Sequence, residues 1–459
     1  MNDNEIFNRR DFLKGSSAAT LMTMLGSGVE LFAQSNTPPD APKKLLGPTV
    51  KVAVIGLGAW GREIVNTLAR LDPSDVQAEI AAICDSYPAF LRRASSLAPK
   101  AAQVEDYKTI LDNKDIPAVV IATPTHQHKD IVLAALKAGK HVYCEAPLAN
   151  SIEDARTIAS AAKAAKQVVF QAGLQMHSEP QRRFLLPFIR SGALGPFVKA
   201  RAQFHKKQSW RATSPNPERE KQLNWRLEKA ISIGLIGEIG SHAIDQAMWF
   251  MNAKPVSVTG FGSIAFWKQD GRDVPDTVEA IIEFPNKVLM NYEATLANSF
   301  DGEYEILYGS DAAVMMRENK AWMFKEADSP LLGWEVYARK ETFYHETGIA
   351  LVANASKSVN TGDQGQPQPF TNTPLSEALK NFLLNSADVT AAKEDFITNF
   401  GADDQDGMSE HLLKVKRDKG RAAAGYLEGF QAAAIGIKAN EAILSGQRVE
   451  LKPDLYELG

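Results

Sequence analysis

The sequence predicts an α/β protein in which a doubly wound parallel sheet precedes a second α/β domain. Three observations lead there. The apolar run VKVAVI at residues 50–55 passes directly into GLGAWG and then into REIVNTLARL, whose apolar residues recur at helical spacing. Two later apolar runs, PAVVIA and KHVYC, are separated by the amphipathic stretch IVLAALKAG, the alternation that βαβ units require. From about Gly195 the pattern changes to alternating, strand-like runs such as VKARAQFH, VSVTGFGSIAFW, VEAIIEFP and KVLMNYEATL.

Length and composition set the frame for these elements. A chain of 459 residues is too long for one compact core, so two domains and an appendage are expected. With 44% hydrophobic and 23% charged residues, the chain is neither collagen-like, disordered nor a disulfide scaffold. A formal net charge of −4 gives no reason to expect nucleic acid, which calls for a clustered Lys/Arg excess. Small molecules are the expected partners. The two cysteines, Cys84 and Cys144, read as small buried hydrophobes, and the eight histidines form no HExxH pattern, so no metal site is expected.

The elements follow in order. Residues 1–34 combine Arg9 and Arg10, a short apolar run and small residues near Ala33, the build of an export signal. The run from Ser16 to Gly28 is too short to span a bilayer. Arg9-Arg10 followed by Phe12-Leu13-Lys14 resembles a twin-arginine motif, which predicts export to the periplasm or beyond. Residues 35–48 are proline-rich and polar, an extended linker. A nucleotide-binding domain is expected over 49–170, and a substrate and oligomerisation domain over 171–459.

Strand, glycine loop and helix in this order are what a dinucleotide pyrophosphate needs. Gly56 permits the tight turn, Gly58 lets the backbone approach the phosphates, and Gly61 lets helix and strand pack, with Ala59 and Trp60 opening the helix. A second strand, EIAAIC, ends in Asp85. A carboxylate there accepts from both ribose hydroxyls and repels a 2′-phosphate, which favours NAD over NADP. In a doubly wound sheet the loops after the strands form the ligand crevice, so Thr123, Pro124, His128 and Glu145 line one rim. His128 has a second reading, a helix-start histidine satisfied locally. With the usual strand order, Cys84 and Cys144 end strands on opposite sides of the first, so no disulfide joins them.

Five ordered segments carry a family likeness: GLGAWG, ATPTHQH, GKHVYCEAPLA, QAGLQMHSEPQRRFLLPFIRSGALG and GEIGSHAIDQAMWF. Together, over roughly residues 50 to 310, they resemble the Gfo/Idh/MocA oxidoreductases, and most of all their exported, twin-arginine branch. The resemblance implies a Rossmann domain followed by a domain whose large, mostly antiparallel open sheet faces the nicotinamide. It also implies a homo-oligomer formed through that sheet. In the tail, FLLNS and YLEGFQAAAIGIKANEAIL have helical period and read as supporting structure.

Oxidising a carbinol needs a hydride acceptor and a base for the hydroxyl proton. On a helix, Glu238 and His242 share a face and Asp245 lies nearly on it, which makes these three the catalytic candidates. A buried, ion-paired helix start is the competing reading. The resemblance implies an aspartate where this chain has Glu238, and a lysine in a Glu-Lys-Pro segment where it has Glu145-Ala146-Pro147. Alanine cannot move a proton, so either His242 acts as the base with Glu238 orienting it, or a lysine from another loop reaches in, or ordinary dehydrogenation is impaired; His242, whose ordinary pKa lies near neutrality, is the favoured base. Trp210, Arg211, Trp225 and Arg226 combine aromatic faces with forked donors suited to a polyhydroxylated ring, or else cover the core.

The leading expectation is an exported, NAD-dependent oxidoreductase acting on a secondary hydroxyl of a sugar, glycoside or polyol, with its nicotinamide tightly held. Two alternatives compete with it. One is a redox-neutral NAD-dependent glycosidase that oxidises, eliminates and re-reduces; the other is a non-catalytic sugar-binding protein.

Overall fold

A computed structural model describes residues 49–318, 320–333, 335–338, 340–343, 346–351 and 373–458. The expected signal segment, the linker and most of the Gly/Asn/Gln/Pro-rich stretch after Leu351 lie outside them.

The first sheet holds β1 (Val50–Ile55), β2 (Ala78–Cys84), β3 (Ala102–Val104), β4 (Ala118–Ile121), β5 (His141–Cys144) and β6 (Phe170–Ala172). All its pairings are parallel and the order is β3-β2-β1-β4-β5-β6, the doubly wound order that reverses at β1. Helices α1 (Ala59–Ala69), α2 (Pro88–Ser95), α3 (Tyr107–Asp112), α4 (His128–Lys137) and α5 (Ile152–Ala164) make the crossovers. β1 and β4 are apolar on both faces because helices cover both. Two three-residue strands, β3 and β6, are additional to the strands read from the sequence. Three residues carry no diagnostic alternation, and β3 is largely exposed. The expected domain boundary at 170/171 falls inside β6.

The second sheet comprises β7 (Phe197–His205), β8 (Ser257–Ser263), β9 (Thr277–Glu283), β10 (Leu289–Thr295), β11 (Glu303–Gly309), β12 (Ala312–Arg317), β13 (Lys320–Lys325), β14 (Lys340–Phe343), β15 (Glu346–Leu351) and β16 (Val449–Glu450). Its order is β14-β15-β13-β12-β11-β7-β10-β9-β8-β16, and only the β7–β10 pair is parallel. One face packs against α6 (Pro180–Arg190) and α8 (Ser241–Met251), through Leu185, Ile189, Ile244 and Met248 over Ala200, Ala280, Met290 and Val314. The other face leaves Phe261, Ile281 and Leu289 exposed. The short α7 (Pro217–Leu223) belongs to the segment between β7 and α8.

The C-terminal helices unite the two halves. α9 (Pro374–Phe400), 27 residues and therefore about 40 Å long, lays Leu379, Phe382 and Leu383 on the parallel sheet against Val52, Val120 and Tyr143. His141 of β5 reaches Thr390 of α9 at 2.9 Å. α10 (Gln405–Lys419) packs beside α9 through Met408 and Leu412. α11 (Tyr426–Ser445) then crosses both domains: Phe430 and Ala432–Ala434 join the opposite Rossmann core, whereas Ile435, Ala439, Ala442 and Ile443 join the second sheet. Part of the tail therefore supports the first domain, though it follows the second in sequence.

Both cysteines are free and buried, at the ends of β2 and β5. These strands lie on opposite sides of β1, which keeps the thiols apart. Among the described residues no helix is long and apolar enough to cross a membrane, and no acidic, His or Cys cluster could hold a metal.

Candidate active site

The loop between β1 and α1 is shaped for close approach. Gly56 has φ 94°, and a Cβ there would meet the Ala122 carbonyl carbon at 2.7 Å. A Cβ at Gly58, by contrast, would meet no protein atom within 4 Å, so the loop presents open space above its backbone. At the end of β2, Asp85 Oδ2 accepts from the Leu57 N–H at 2.7 Å and Oδ1 from the Tyr87 N–H at 2.7 Å. Burial raises its pKa, while those N–H groups and the charges of Arg219 and Arg62 oppose the rise. The carboxylate is thereby fixed beside the glycine loop, where an adenosine ribose would present its hydroxyls.

Across the β1 switch point lies the second rim. Glu145 follows β5, and burial pushes its carboxyl up to about 7 against the nearby polar groups of Trp60, Tyr143 and the Ala146 N–H. Gly173 is the close neighbour that holds it: a Cβ there would lie 2.6 Å from Glu145 Oε2. The Ala146–Pro147 bond is cis. Four buried polar atoms around this cleft have no protein partner: Thr123 Oγ1, His126 Nδ1, Glu145 Oε1 and Glu238 Oε1. Unsatisfied buried groups are costly, so their concentration here fits a polar ligand such as a nicotinamide dinucleotide with its substrate. Gly56, Gly58, Ala59, Trp60 and Gly61 follow β1, Asp85 follows β2, Thr123 and Pro124 follow β4, and Glu145 follows β5, so the expected cofactor residues all lie at the same end of the parallel sheet.

His128 is placed differently from the cofactor-contact expectation. Its Nδ1 lies 3.1 Å from the Pro147 carbonyl oxygen and its Nε2 2.9 Å from that of Thr123. Both edges of the ring thus face rim backbone, which leaves no nitrogen for a ligand. Burial drives its pKa down to about 4, so the neutral ring carries one N–H and donates to one of the two carbonyls while packing against the other.

The catalytic segment also departs from a plain helix. Residues Ile236–Gly240 form a π-helical turn before α8 begins at Ser241, and such turns recur at functional sites. Glu238 is buried, and its Oε2 accepts from Thr125 Oγ1 at 3.3 Å and lies 3.5 Å from Arg226 Nε. Burial raises its pKa; Arg226 and Thr125 oppose the rise. The π turn breaks the α-helical spacing between Glu238 and His242, and the contacts of Oε2 are with Thr125 and Arg226. Partial burial of His242 lowers its pKa, with Asp245 opposing, so the imidazole is uncharged at neutral pH.

Asp245 is likewise engaged elsewhere. Its Oδ2 lies 2.7 Å from His177 Nε2, both residues are buried, and the His177 ring stacks on Trp249 at 4.2 Å. Burial pulls the His177 pKa down, but the Asp245 charge and hydrogen bond, together with the Glu428 charge, leave it raised. Asp245 is therefore a buried ion-pair partner on the α8 face behind His242.

Of the four loop residues, three converge. The Arg226 guanidinium lies 4.6 Å from the Trp225 ring centroid and 5.8 Å from that of Trp210, and His126 stands edge-on to Trp225 at 5.6 Å. Thr125, Glu238, Arg226, Trp225 and His126 thus form a closed circuit of contacts on one wall of the cleft. Arg211 is outside it. Its guanidinium pairs with Glu220 and donates to the Asp270 carbonyl at 2.7 Å, in the wall of a surface cavity of about 420 Å³ that no rim residue lines. Thr125, His126 and His177 were not singled out from the sequence. All three lie inside the segments ATPTHQH and QAGLQMHSEP, but nothing in their local spacing distinguishes a cleft-facing histidine from a structural one.

Comparison with known proteins agrees with this geometry. Residues 50–173 match the model of an oxidoreductase family with an NAD-binding Rossmann fold, and residues 185–314 match the GFO/IDH/MocA C-terminal domain. Residues 7–26 match a twin-arginine translocation signal sequence. A levoglucosan dehydrogenase of Pseudarthrobacter phenanthrenivorans is 31% identical over 210 residues, 41% of this chain and 52% of that protein. A glycosyl hydrolase family 109 protein of Shewanella baltica is 28% identical over 233 residues, 44% of this chain and 50% of that protein. The matches thus span about half the length of these relatives. Among solved structures, a levoglucosan dehydrogenase in complex with NADH and levoglucosan superposes with a TM-score of 0.63 at 21% identity, covering 88% of this chain and 99% of that one.

Proposed function

Because this chain belongs to the Gfo/Idh/MocA oxidoreductases, an NAD-dependent enzyme family of which it carries both domains and a twin-arginine signal, we propose that it works in the periplasm on a secondary hydroxyl of a sugar, glycoside or polyol. The observation that carries this reading is the bond from Thr125 to Glu238. It ties the turn immediately before His242 to the nucleotide rim, which supports a role for Glu238 and His242 at the cofactor cleft. The nicotinamide, when bound, accepts or returns hydride. His242, uncharged at neutral pH, takes the hydroxyl proton at an imidazole nitrogen. Glu238, with Oε2 held by Thr125 and Arg226, offers Oε1 to a neighbouring hydroxyl and orients the ring. Trp225 and Trp210 offer apolar faces, and Arg226 offers donors to hydroxyl oxygens.

Free NAD is scarce outside the cytoplasm, so we read the cofactor as bound before export and retained, with each oxidation matched by a re-reduction. A second reading follows from Ala146. Alanine at 146, in place of the lysine that the resemblance implies, suits redox-neutral glycosidic cleavage, and the relative of glycosyl hydrolase family 109 is consistent with it. The apolar residues Phe261, Ile281 and Leu289 on the open sheet face support association of two copies there.

One experiment separates the readings. The mature protein is denatured to identify released nucleotide, and intact protein is incubated with levoglucosan and a panel of aryl glycosides while reduced nicotinamide and free sugar are followed together. Net reduction with a keto product supports the dehydrogenase. Sugar release without net reduction supports the glycosidase, whereas bound nucleotide with neither product supports sugar binding alone.

A further inference from the structure

The segment 206–228 between β7 and α8 makes contacts that neither the family models nor the sequence motifs assign. Both its ends are anchored in the second domain: Gln208 N–H donates to the Leu296 carbonyl at 3.0 Å, and Asp273 N–H donates to the Leu227 carbonyl at 3.0 Å. Its middle is internally braced. Ala212 N–H donates to Asn224 Oδ1 at 2.8 Å, Asn224 Nδ2 returns a bond to the Ala212 carbonyl at 2.9 Å, and Glu220 holds both Arg211 and the Ser214 N–H.

From this braced segment, side chains reach the first domain at two separate places. At one, Arg219 of α7 donates to the Ser86 carbonyl at 2.9 Å and lies 4.7 Å from the Tyr87 ring centroid, while Tyr87 Oη and Ser214 Oγ are 3.4 Å apart. Ser86 and Tyr87 directly follow Asp85 at the end of β2, and the Arg219 charge is among those acting on Asp85. At the other, beyond the end of β4, Trp225 meets His126, while the adjacent Arg226 pairs with Glu238 of the second domain. β2 and β4 are the two neighbours of β1. The two attachments therefore lie on either side of the end of β1, where the loop GLGAWG begins and where Gly58 has open space above it.

We propose that residues 206–228 are a clasp over the dinucleotide, and that Arg219 is its latch at the adenosine end. The pyrophosphate groove then has the glycine loop as its floor and the clasp as its roof, so the cofactor leaves only after Arg219 lets go of Ser86 and Tyr87. This rests on the reading that NAD is retained, and it assigns that retention to a second-domain residue. Arginine suits the task because one planar group both donates to a carbonyl and lies against an aromatic ring.

The test is the rate at which NAD leaves. Full-length mature protein loaded with NAD is diluted into excess apo alcohol dehydrogenase as a nucleotide trap, and release is compared for wild type, Arg219→Ala and Arg219→Lys. Arg219→Ala should release NAD about tenfold faster, the size set by one cation–π contact and one charge-assisted hydrogen bond at a partly exposed site. Arg219→Lys should fall between. Arg219 is half-buried, so the nucleotide-free variants should fold and lose no more than the stability of those same two contacts. A release ratio near one overturns the clasp, whatever the wild-type rate. A wild type that empties within the time of a column step overturns retention, and the ratio still decides the clasp.

Discussion

His242 is a titrating group whose state at neutral pH follows from its surroundings. Burial lowers its pKa, Asp245 offsets only part of that, and the ring is therefore unprotonated above a value lying below the ordinary histidine figure of about 6.5. A base must be unprotonated to act, so kcat/KM should fall as the pH drops through that lowered pKa and be flat above it. His242→Ala should remove this acid limb and reduce kcat by about 10²–10⁴-fold while NAD content stays unchanged. Retention of both the limb and the rate would assign the base elsewhere. Ala146 raises the complementary question. Its neighbour Glu145 has a carboxyl pushed up to about 7 by burial, with no cationic side chain to oppose the shift. Ala146→Lys adds an opposite charge, which should lower the Glu145 pKa by roughly 1–3 units and place a proton donor at the rim. The ratio of reduced nicotinamide to released sugar should then rise at least severalfold. An unchanged ratio would show that the alanine does not set the balance between net oxidation and cleavage.

At the scale of elements, the His177–Asp245 pair joins the turn after β6 to α8 and so couples the first domain to the helix that carries His242. Removing one partner of a buried pair leaves the other charge uncompensated, at a cost of about 3–5 kcal/mol. His177→Ala should therefore lower the denaturation midpoint markedly, and adding Asp245→Asn to it should restore part of the loss. Strict additivity of the two changes would mean the side chains do not interact. This pair also marks where the sequence stopped being legible. The βαβ units, the glycine loop, Asp85 and the rim carboxylate Glu145 were readable because each depends on local spacing within one strand–loop–helix unit. The pairing of Asp245 with His177, 68 positions away, is beyond the reach of local spacing, and helical counting from Glu238 assumes α geometry where Ile236–Gly240 winds as a π turn. His128 and His126 sit two residues apart, one locked between backbone carbonyls and the other facing Trp225. Only the packing of a distant loop separates them. Three-residue strands β3 and β6 escaped for a simpler reason, since they are shorter than the alternation that reveals a strand.

At the scale of the whole molecule, export and cofactor binding are linked through the fold. α11 contributes to both domain cores and α9 covers the parallel sheet, so neither half of the chain packs completely without the C-terminal residues. The nucleotide cleft, formed between the halves, therefore exists only after the chain is finished. A route that threads unfolded chains would deliver the protein where NAD is scarce, with its cleft still to form. The twin-arginine route, which the signal at residues 7–26 indicates, carries folded proteins and permits loading beforehand. Replacing Arg9 and Arg10 by lysines should leave the precursor in the cytoplasm, folded and containing NAD in amounts comparable to the exported wild type. Gly58→Val, which would fill the open space above the glycine loop, should instead yield protein without nucleotide. Binding to the folded state stabilises it in proportion to the logarithm of ligand concentration over Kd, so the nucleotide-free form should also be the less stable one and be exported in reduced amount. Nucleotide content per chain, measured after acid denaturation of cytoplasmic and exported fractions, checks both outcomes. Equal NAD content in exported wild type and exported Gly58→Val would break the proposed link between loading and the glycine loop. Absence of NAD from cytoplasmic precursor would place loading after export.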